Sequence, residues 1–294
     1  LKREILAVLL IVLSALFLGF FSYYARISQE LASLPLAIFL RFLIPMVFCL
    51  FFLAFRSLKE LFETNIKVQI VRGFWGIVAQ YSLFYSLRGI SLLDATLLLN
   101  TSPLFIPILA WLFLKKRIEW RTGIGLIVGF FGIILVLKPT EGIVNLYAFF
   151  GLLAGFSAGT SQVCLQKVSK ESKVSTNIFQ WSLWCLLFSI LPLFAMEPVL
   201  HFKSSPGWMF LIVFLTLGIF SFGNQIFRSW GYYLAKNPVN LAPLLYLSVI
   251  VSGIIDWVLY QSLPDIFTIA GAVLVVIGAF LSQYNKRSKE RPSF

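Results

Sequence analysis

Apolar runs of about twenty residues alternate with short polar breaks along the whole of this chain. The runs cover about 5–25, 35–55, 67–88, 92–114, 121–138, 147–167, 176–196, 208–233, 239–260 and 265–284. A helix rising 1.5 Å per residue needs about 20 such residues to cross a hydrocarbon core roughly 30 Å thick. The breaks carry loop chemistry, as in Lys115-Lys116-Arg117, Lys138-Pro139-Thr140-Glu141-Gly142, Ser204-Ser205-Pro206-Gly207 and Asn237-Pro238. The third-to-fourth and eighth-to-ninth connections are short enough for tight antiparallel hairpins. The pattern also repeats. A shift of 146 residues carries Ser102 onto Ser248, Trp111 onto Trp257, Gly125 onto Gly271 and Gly132 onto Gly278. The expectation is an all-α membrane protein of ten transmembrane helices, built as two five-helix repeats. The first repeat occupies 1–141, the second 142–285, and a basic tail 286–294. Because five is odd, the second repeat is inverted relative to the first. Such duplication is a common design for a secondary transporter, in which two similar halves rock around a midplane site.

Composition narrows the class. Of 294 residues, 59% are hydrophobic and only 12% charged, about half the charge of a soluble domain. The net charge of +12 does not call for nucleic acid, because its sources lie in short loops. With the N-terminus inside, eighteen of the 24 Lys and Arg fall on the inner side. Arg26, Arg88, Lys138 and Lys203 fall outside, and Arg41 and Arg228 within spans. The positive-inside rule then places both termini in the cytoplasm and the chain in the inner membrane. The run from Ile5 to Tyr24 is longer than a signal-peptide core and lacks a small-x-small cleavage pattern, so it reads as a retained helix. Cys49, Cys164 and Cys185 lie in apolar runs without metal-like spacing, and His201 is the sole histidine. With no His-carboxylate cluster, phosphate loop or Ser-His-Asp set, neither an enzyme nor a cofactor nor a metal is expected.

An ionisable group inside a span costs at least about 2.5–3.5 kcal/mol, which makes it a functional candidate. Arg41 sits about 10 Å along the second helix, between Phe39, Leu40, Phe42 and Leu43. It serves either as an anchor for a carboxylate or as a structural ion pair, with Asp94 or Asp256 at matching depth. Arg228 follows Asn224 and Gln225 on the eighth helix, where it binds an anion or reaches the interface through its stem. Ser248, Ser252 and Asp256 form a stripe on the ninth helix, suited to a proton, a substrate amine or plain solvation of the helix end. Asn100 precedes Ser102-Pro103 in the fourth helix, and Pro243 lies early in the ninth. Interrupted helices in matching positions mark a binding site, although packing kinks explain the same prolines. Gln80, Tyr81 and Tyr85 on the third helix, with Tyr246 on the ninth, complete the candidate set. Trp120, Trp208 and Tyr284 fit interface anchors.

Two stretches carry a family resemblance. One runs from Ser86-Leu87-Arg88-Gly89-Ile90-Ser91 through Leu98-Leu99-Asn100-Thr101-Ser102-Pro103-Leu104 to Gly129-Phe130-Phe131-Gly132. The other runs from Gly155-Phe156-Ser157-Ala158 to Lys167. Together they resemble the drug/metabolite transporter superfamily, in its ten-helix EamA-type branch. The resemblance implies a central cavity between inverted repeats, an arginine near the position of Arg41, and transport of small metabolites, often by export of amino acids or their derivatives. It also implies a protein able to work as a monomer. The chain departs from the pattern at Lys116-Arg117-Ile118-Glu119 and at Ser262-Leu263-Pro264-Asp265. Its first apolar run, Ile5 to Tyr24, has no acid, so the proton-coupled mechanism of the small multidrug relatives does not carry over. The expected function is secondary transport of a small polar metabolite, an amino acid or related carboxylate-bearing compound, by alternating access. The rivals are a nucleotide-sugar or lipid-linked metabolite carrier, and a non-transporting membrane sensor or assembly subunit. A polar, hydrated core separates a carrier from a sensor.

Overall fold

The computed structural model describes residues 2–53, 61–115, 120–137, 146–168, 172–195, 207–235, 241 and 244–283. Among the described residues there are eleven α-helices and no strand. The first half holds α1 (Lys2–Leu31), α2 (Leu34–Leu53), α3 (Ile66–Ser86), α4 (Leu92–Leu99), α5 (Ser102–Leu114) and α6 (Trp120–Leu137). The second half holds α7 (Leu146–Val168), α8 (Val174–Ala195), α9 (Trp208–Leu234), α10 (Leu247–Tyr260) and α11 (Ile266–Gln283). Each apolar run therefore contains a helix, and the fourth contains two. Pro243, Tyr284, His201 and the basic tail lie outside the described residues.

Seven stretches are long and apolar enough to cross a membrane, and two shorter apolar helices fall near α10 and α11. The third expected span, α3, is absent from that set. It carries Lys67, Gln69, Arg72 and Gln80, and Gln69 and Arg72 are buried. Its polarity faces the protein interior rather than lipid, where hydropathy alone misjudges it. The outward faces are apolar instead. Phe51, Leu112, Phe131, Leu191 and Ile266 are all exposed. An apolar belt of this extent is stable only against hydrocarbon. Trp120 and Trp208 stand exposed at the first positions of α6 and α9, where indole rings anchor a helix at the membrane surface.

The two halves are interleaved. The first helix of each half packs on the third span of the other: α1 on α9, and α7 on α3. Equivalent helices also meet directly, α6 with α11 and α4 with α10. A Cβ on Gly132 would lie 2.7 Å from the carbonyl oxygen of Gly271, and one on Gly278 would lie 2.3 Å from the nitrogen of Gly129. Position rises along α6 as it falls along α11, so the pair is antiparallel. The same holds for α4 and α10, where Leu93 meets Asp256, Thr96 meets Ser252 and Asn100 meets Ser248. Repeat-equivalent helices running in opposite directions make the repeats inverted. Without a hydrophobic drive between helices in lipid, glycines at this seam let backbones approach to van der Waals contact.

Candidate functional site

The site begins at the break between α4 and α5. Pro103 has no N–H to give to the carbonyl of Leu99, and its ring crowds that carbonyl, so the helix stops ahead of it. Local bonds then satisfy the freed backbone. Thr101 donates its N–H and its hydroxyl to the carbonyl of Leu98, at 3.1 and 2.6 Å. Asn100 donates to the carbonyl of Thr96 at 2.8 Å and to the Ser248 hydroxyl at 2.9 Å. The second half shows the matching discontinuity. Leu244–Tyr246 form a tight 3₁₀ turn ahead of α10, and the 146-residue shift carries Asn100 onto Tyr246. Gly155 of α7 allows this irregular backbone to pack, since a Cβ there would lie 2.4 Å from both the Leu98 oxygen and the Thr101 hydroxyl.

Beside the break lies a cavity lined from both halves by polar side chains. Arg41, Arg72, Gln80, Asn100, Ser161, Gln162, Ser221, Asn224, Gln225 and Arg228 face it, with Phe21 and Trp181 among its apolar walls. About 90 Å³ is open to water-sized contents, room for several waters at roughly 10–15 Å³ each. This is a polar core with room for water, the feature expected of a carrier rather than of a sealed sensor.

Arg41 is only partly satisfied within it. Only 4% of the residue is exposed. Its Nε donates to the Ser221 hydroxyl at 3.2 Å, and its guanidinium lies over the rings of Phe21 and Phe42 at 4.2 and 4.7 Å. Its Nη1 has no hydrogen-bond partner. Neither Asp94 nor Asp256 pairs with it, contrary to the expected alternatives. Arg72 is held differently: its Nη1 donates to Gln69 Oε1 at 3.2 Å and to the Asn177 carbonyl at 2.9 Å. Arg228 donates to Gln225 Oε1 at 2.9 Å. Among the described residues, none of these three arginines has a carboxylate within ion-pair distance, and no Asp or Glu lines the cavity. A buried ion without a partner costs several kcal/mol. Among the described residues the arrangement leaves the positive charge of the cavity without a carboxylate to offset it.

Of the ten candidates from the sequence, the structure brings six to this cavity: Arg41, Gln80, Asn100, Asn224, Gln225 and Arg228. Gln80 presents an unpartnered buried Oε1, and Asn224 accepts from Ser14 at 2.9 Å, tying α1 to α9. The other four lie elsewhere. Tyr85 stacks on Tyr147 and packs at a tilt against Phe150. Tyr81 and Tyr246 are absent from the lining, and their hydroxyls are buried without a partner. Asp256 sits at the far end of α10, where its Oδ2 accepts from the backbone N–H of Leu93 at 2.7 Å and its Oδ1 lies 3.6 Å from Arg26. The expected polar stripe Ser248–Ser252–Asp256 is thus a seam to α4 rather than a solvated face. Arg72 was not among the candidates. Its signal was present, since Gln69, Arg72, Gly76 and Gln80 recur at helical spacing on one face of α3.

Comparison with known proteins places the chain in a family. The sequence profile of the EamA-like transporter family matches residues 5–138 and again 145–284. The chain is 26% identical over 90% of its length to the pseudopaline exporter CntI of Pseudomonas aeruginosa, covering 91% of that protein. It is 26% identical over 89% of its length to the S-adenosylmethionine uptake transporter of Rickettsia bellii, covering 87% of it. It is 27% identical over 75% of its length to human solute carrier family 35 member G1, covering 64% of that longer protein. A solved crystal structure, 18% identical, superposes with a TM-score of 0.65 over 94% of this chain and 95% of the other, which establishes a shared fold. With a duplicated profile, a polar cavity between the two copies and an apolar outer belt, this chain belongs to the EamA-like transporter family and is a multi-pass membrane transporter of small metabolites.

Proposed function

We propose that this transporter moves a small carboxylate-bearing metabolite, an amino acid or a related compound, by alternating access between its two halves. The substrate carboxylate is held on Arg41. The observation that carries this is the unpartnered Nη1 of a buried guanidinium in a cavity with no acid among its lining residues. Carboxylate and guanidinium match in charge and in fork geometry. Gln80 Oε1 and the serine hydroxyls orient the uncharged part of the ligand.

The loop charges favour an inner membrane with both termini in the cytoplasm. In that orientation the end of the bundle holding Arg26, Asp256, Asp94 and Asp265 faces outward. It is tied shut by three cross-helix bonds between α4 and α10 and by the Arg26–Asp256 pair. Breaking this seam is the step that exposes the site outward. One bacterial relative named above is an exporter and the other an uptake transporter, so the fold alone does not fix direction.

The test is uptake and efflux of a radiolabelled mixture of amino acids and small carboxylic acids in proteoliposomes. Wild type is compared with Arg41→Ala and Arg228→Ala. The proposal expects saturable flux that falls at least about tenfold in Arg41→Ala, as loss of a buried charge partner requires. Undiminished flux in a folded Arg41→Ala protein removes Arg41 from the site.

A further inference from the structure

The cavity has more positive charge than one carboxylate can neutralise. Arg41, Arg72 and Arg228 all line it, and among the described residues no Asp or Glu does. Arg41 and Arg72 are almost wholly buried, at 4% and 2% exposed. The two ends of the cavity also differ. Arg41 lies about seven residues, roughly 10 Å, into α2 from Leu34. Arg72 and Arg228 lie six residues from the ends of α3 and α9 at the opposite side of the bundle, roughly 9 Å in. One guanidinium thus stands on one side of the midplane and two on the other. Those two are fixed before any ligand arrives. Arg72 is clamped by Gln69 and Asn177, and Gln69 itself donates to Asn177 Oδ1 at 2.7 Å. Arg228 is held by Gln225.

A monoanion bound at Arg41 leaves the buried Arg72 and the half-buried Arg228 without counter-charge. A zwitterion adds an ammonium to a cavity with no acid to receive it. A ligand with two negative charges relieves both ends. We infer that the substrate of this site is a small dianion, either a dicarboxylate or a phosphate-bearing acid. Arg41 binds its first anionic group, and Arg72 and Arg228 receive the second. This rests on the carrier reading above and narrows its substrate class.

The experiment is thermal stabilisation of the purified full-length protein by four probes at matched ionic strength: succinate, glycerol phosphate, butyrate and alanine. Succinate or glycerol phosphate is expected to reach half-effect at about tenfold lower concentration than butyrate or alanine, the equivalent of ~1.4 kcal/mol. The order of the first two distinguishes a dicarboxylate from a phosphate. Arg72→Gln and Arg228→Gln are tested in parallel, and at least one is expected to shrink the succinate-to-butyrate ratio. A merely structural role would weaken both probes alike. If either variant fails to fold, the wild-type series still decides. Butyrate or alanine binding as tightly as the dianions overturns the inference, as does no response to any probe or an unchanged ratio in both variants. In each of those cases, persistent saturable flux of any compound from the labelled mixture of amino acids and carboxylic acids in proteoliposomes leaves the carrier reading standing, whereas flux of none of them removes both.

Discussion

At the scale of the residue, Arg41 combines a cost with a use. Its guanidinium is buried among Phe21, Phe42 and Ser221 with an Nη1 that nothing receives. Replacing a buried ion by a packed apolar side chain of similar volume is often neutral or stabilising, by about 1–4 kcal/mol. Arg41→Met is therefore expected to raise the melting temperature in detergent while abolishing flux, and a melt recorded beside a transport assay checks it. A lower melting temperature would mean that Arg41 serves the fold. Residues such as Arg41 and Arg228 were legible in the sequence because an ionisable side chain within a lipid-length run must face the protein interior. Arg72 was hidden because it lies near a span end, where positive charge is expected for topology alone. Asp256 and Tyr85 were assigned to the site because their depth along a helix is readable, whereas the neighbour their face meets is not.

At the scale of the element, the interrupted fourth span organises the site. Asn100 and Thr101 satisfy a backbone that Pro103 has broken, and α7 covers the break with Gly151, Gly155 and Gly159. Gly155→Leu is expected to abolish the folded protein, because even a Cβ there would lie 2.4 Å from the Leu98 oxygen. A well-folded Gly155→Leu protein, judged by monodisperse gel filtration, would contradict this packing. The seam between α4 and α10 is weaker by design. Hydrogen bonds between membrane helices are worth about 0.6 kcal/mol on average. Removing the Thr96–Ser252 bond, 2.9 Å long, with Thr96→Val and Ser252→Ala should leave the fold intact. It should raise the reactivity of a cysteine placed at Ser102 toward an external membrane-impermeant reagent by about threefold, as expected for that energy. Unchanged reactivity would show that the seam does not close the outer end. Pattern located the break in the first half, since Pro103 is visible in the sequence. It did not reveal that Ser248, Ser252 and Asp256 bond to α4, because spacing shows a stripe and not its partner.

At the scale of the whole molecule, duplication sets the architecture. The fixed 146-residue shift and the odd number of expected spans imply inversion from sequence alone, and the antiparallel pairing of α6 with α11 and α4 with α10 supplies it in three dimensions. Exchange of partners between halves, α1 with α9 and α7 with α3, was not legible, because equivalent helices have no sequence mark for which copy they pack on. Inversion with cytoplasmic termini predicts that single cysteines at Lys2 and Gln283 react from one side of the membrane. Cysteines at Arg88 and Leu263 react from the other, and labelling all four from the same side would overturn the topology. The central claim is that a transporter built on this pseudo-symmetry holds an anionic substrate on Arg41. The most direct measurement is counterflow of labelled carboxylate substrate in preloaded proteoliposomes, which needs no knowledge of the coupling ion. The account predicts transient accumulation of label by wild type and none by a folded Arg41→Gln protein. Equal accumulation by both would contradict it.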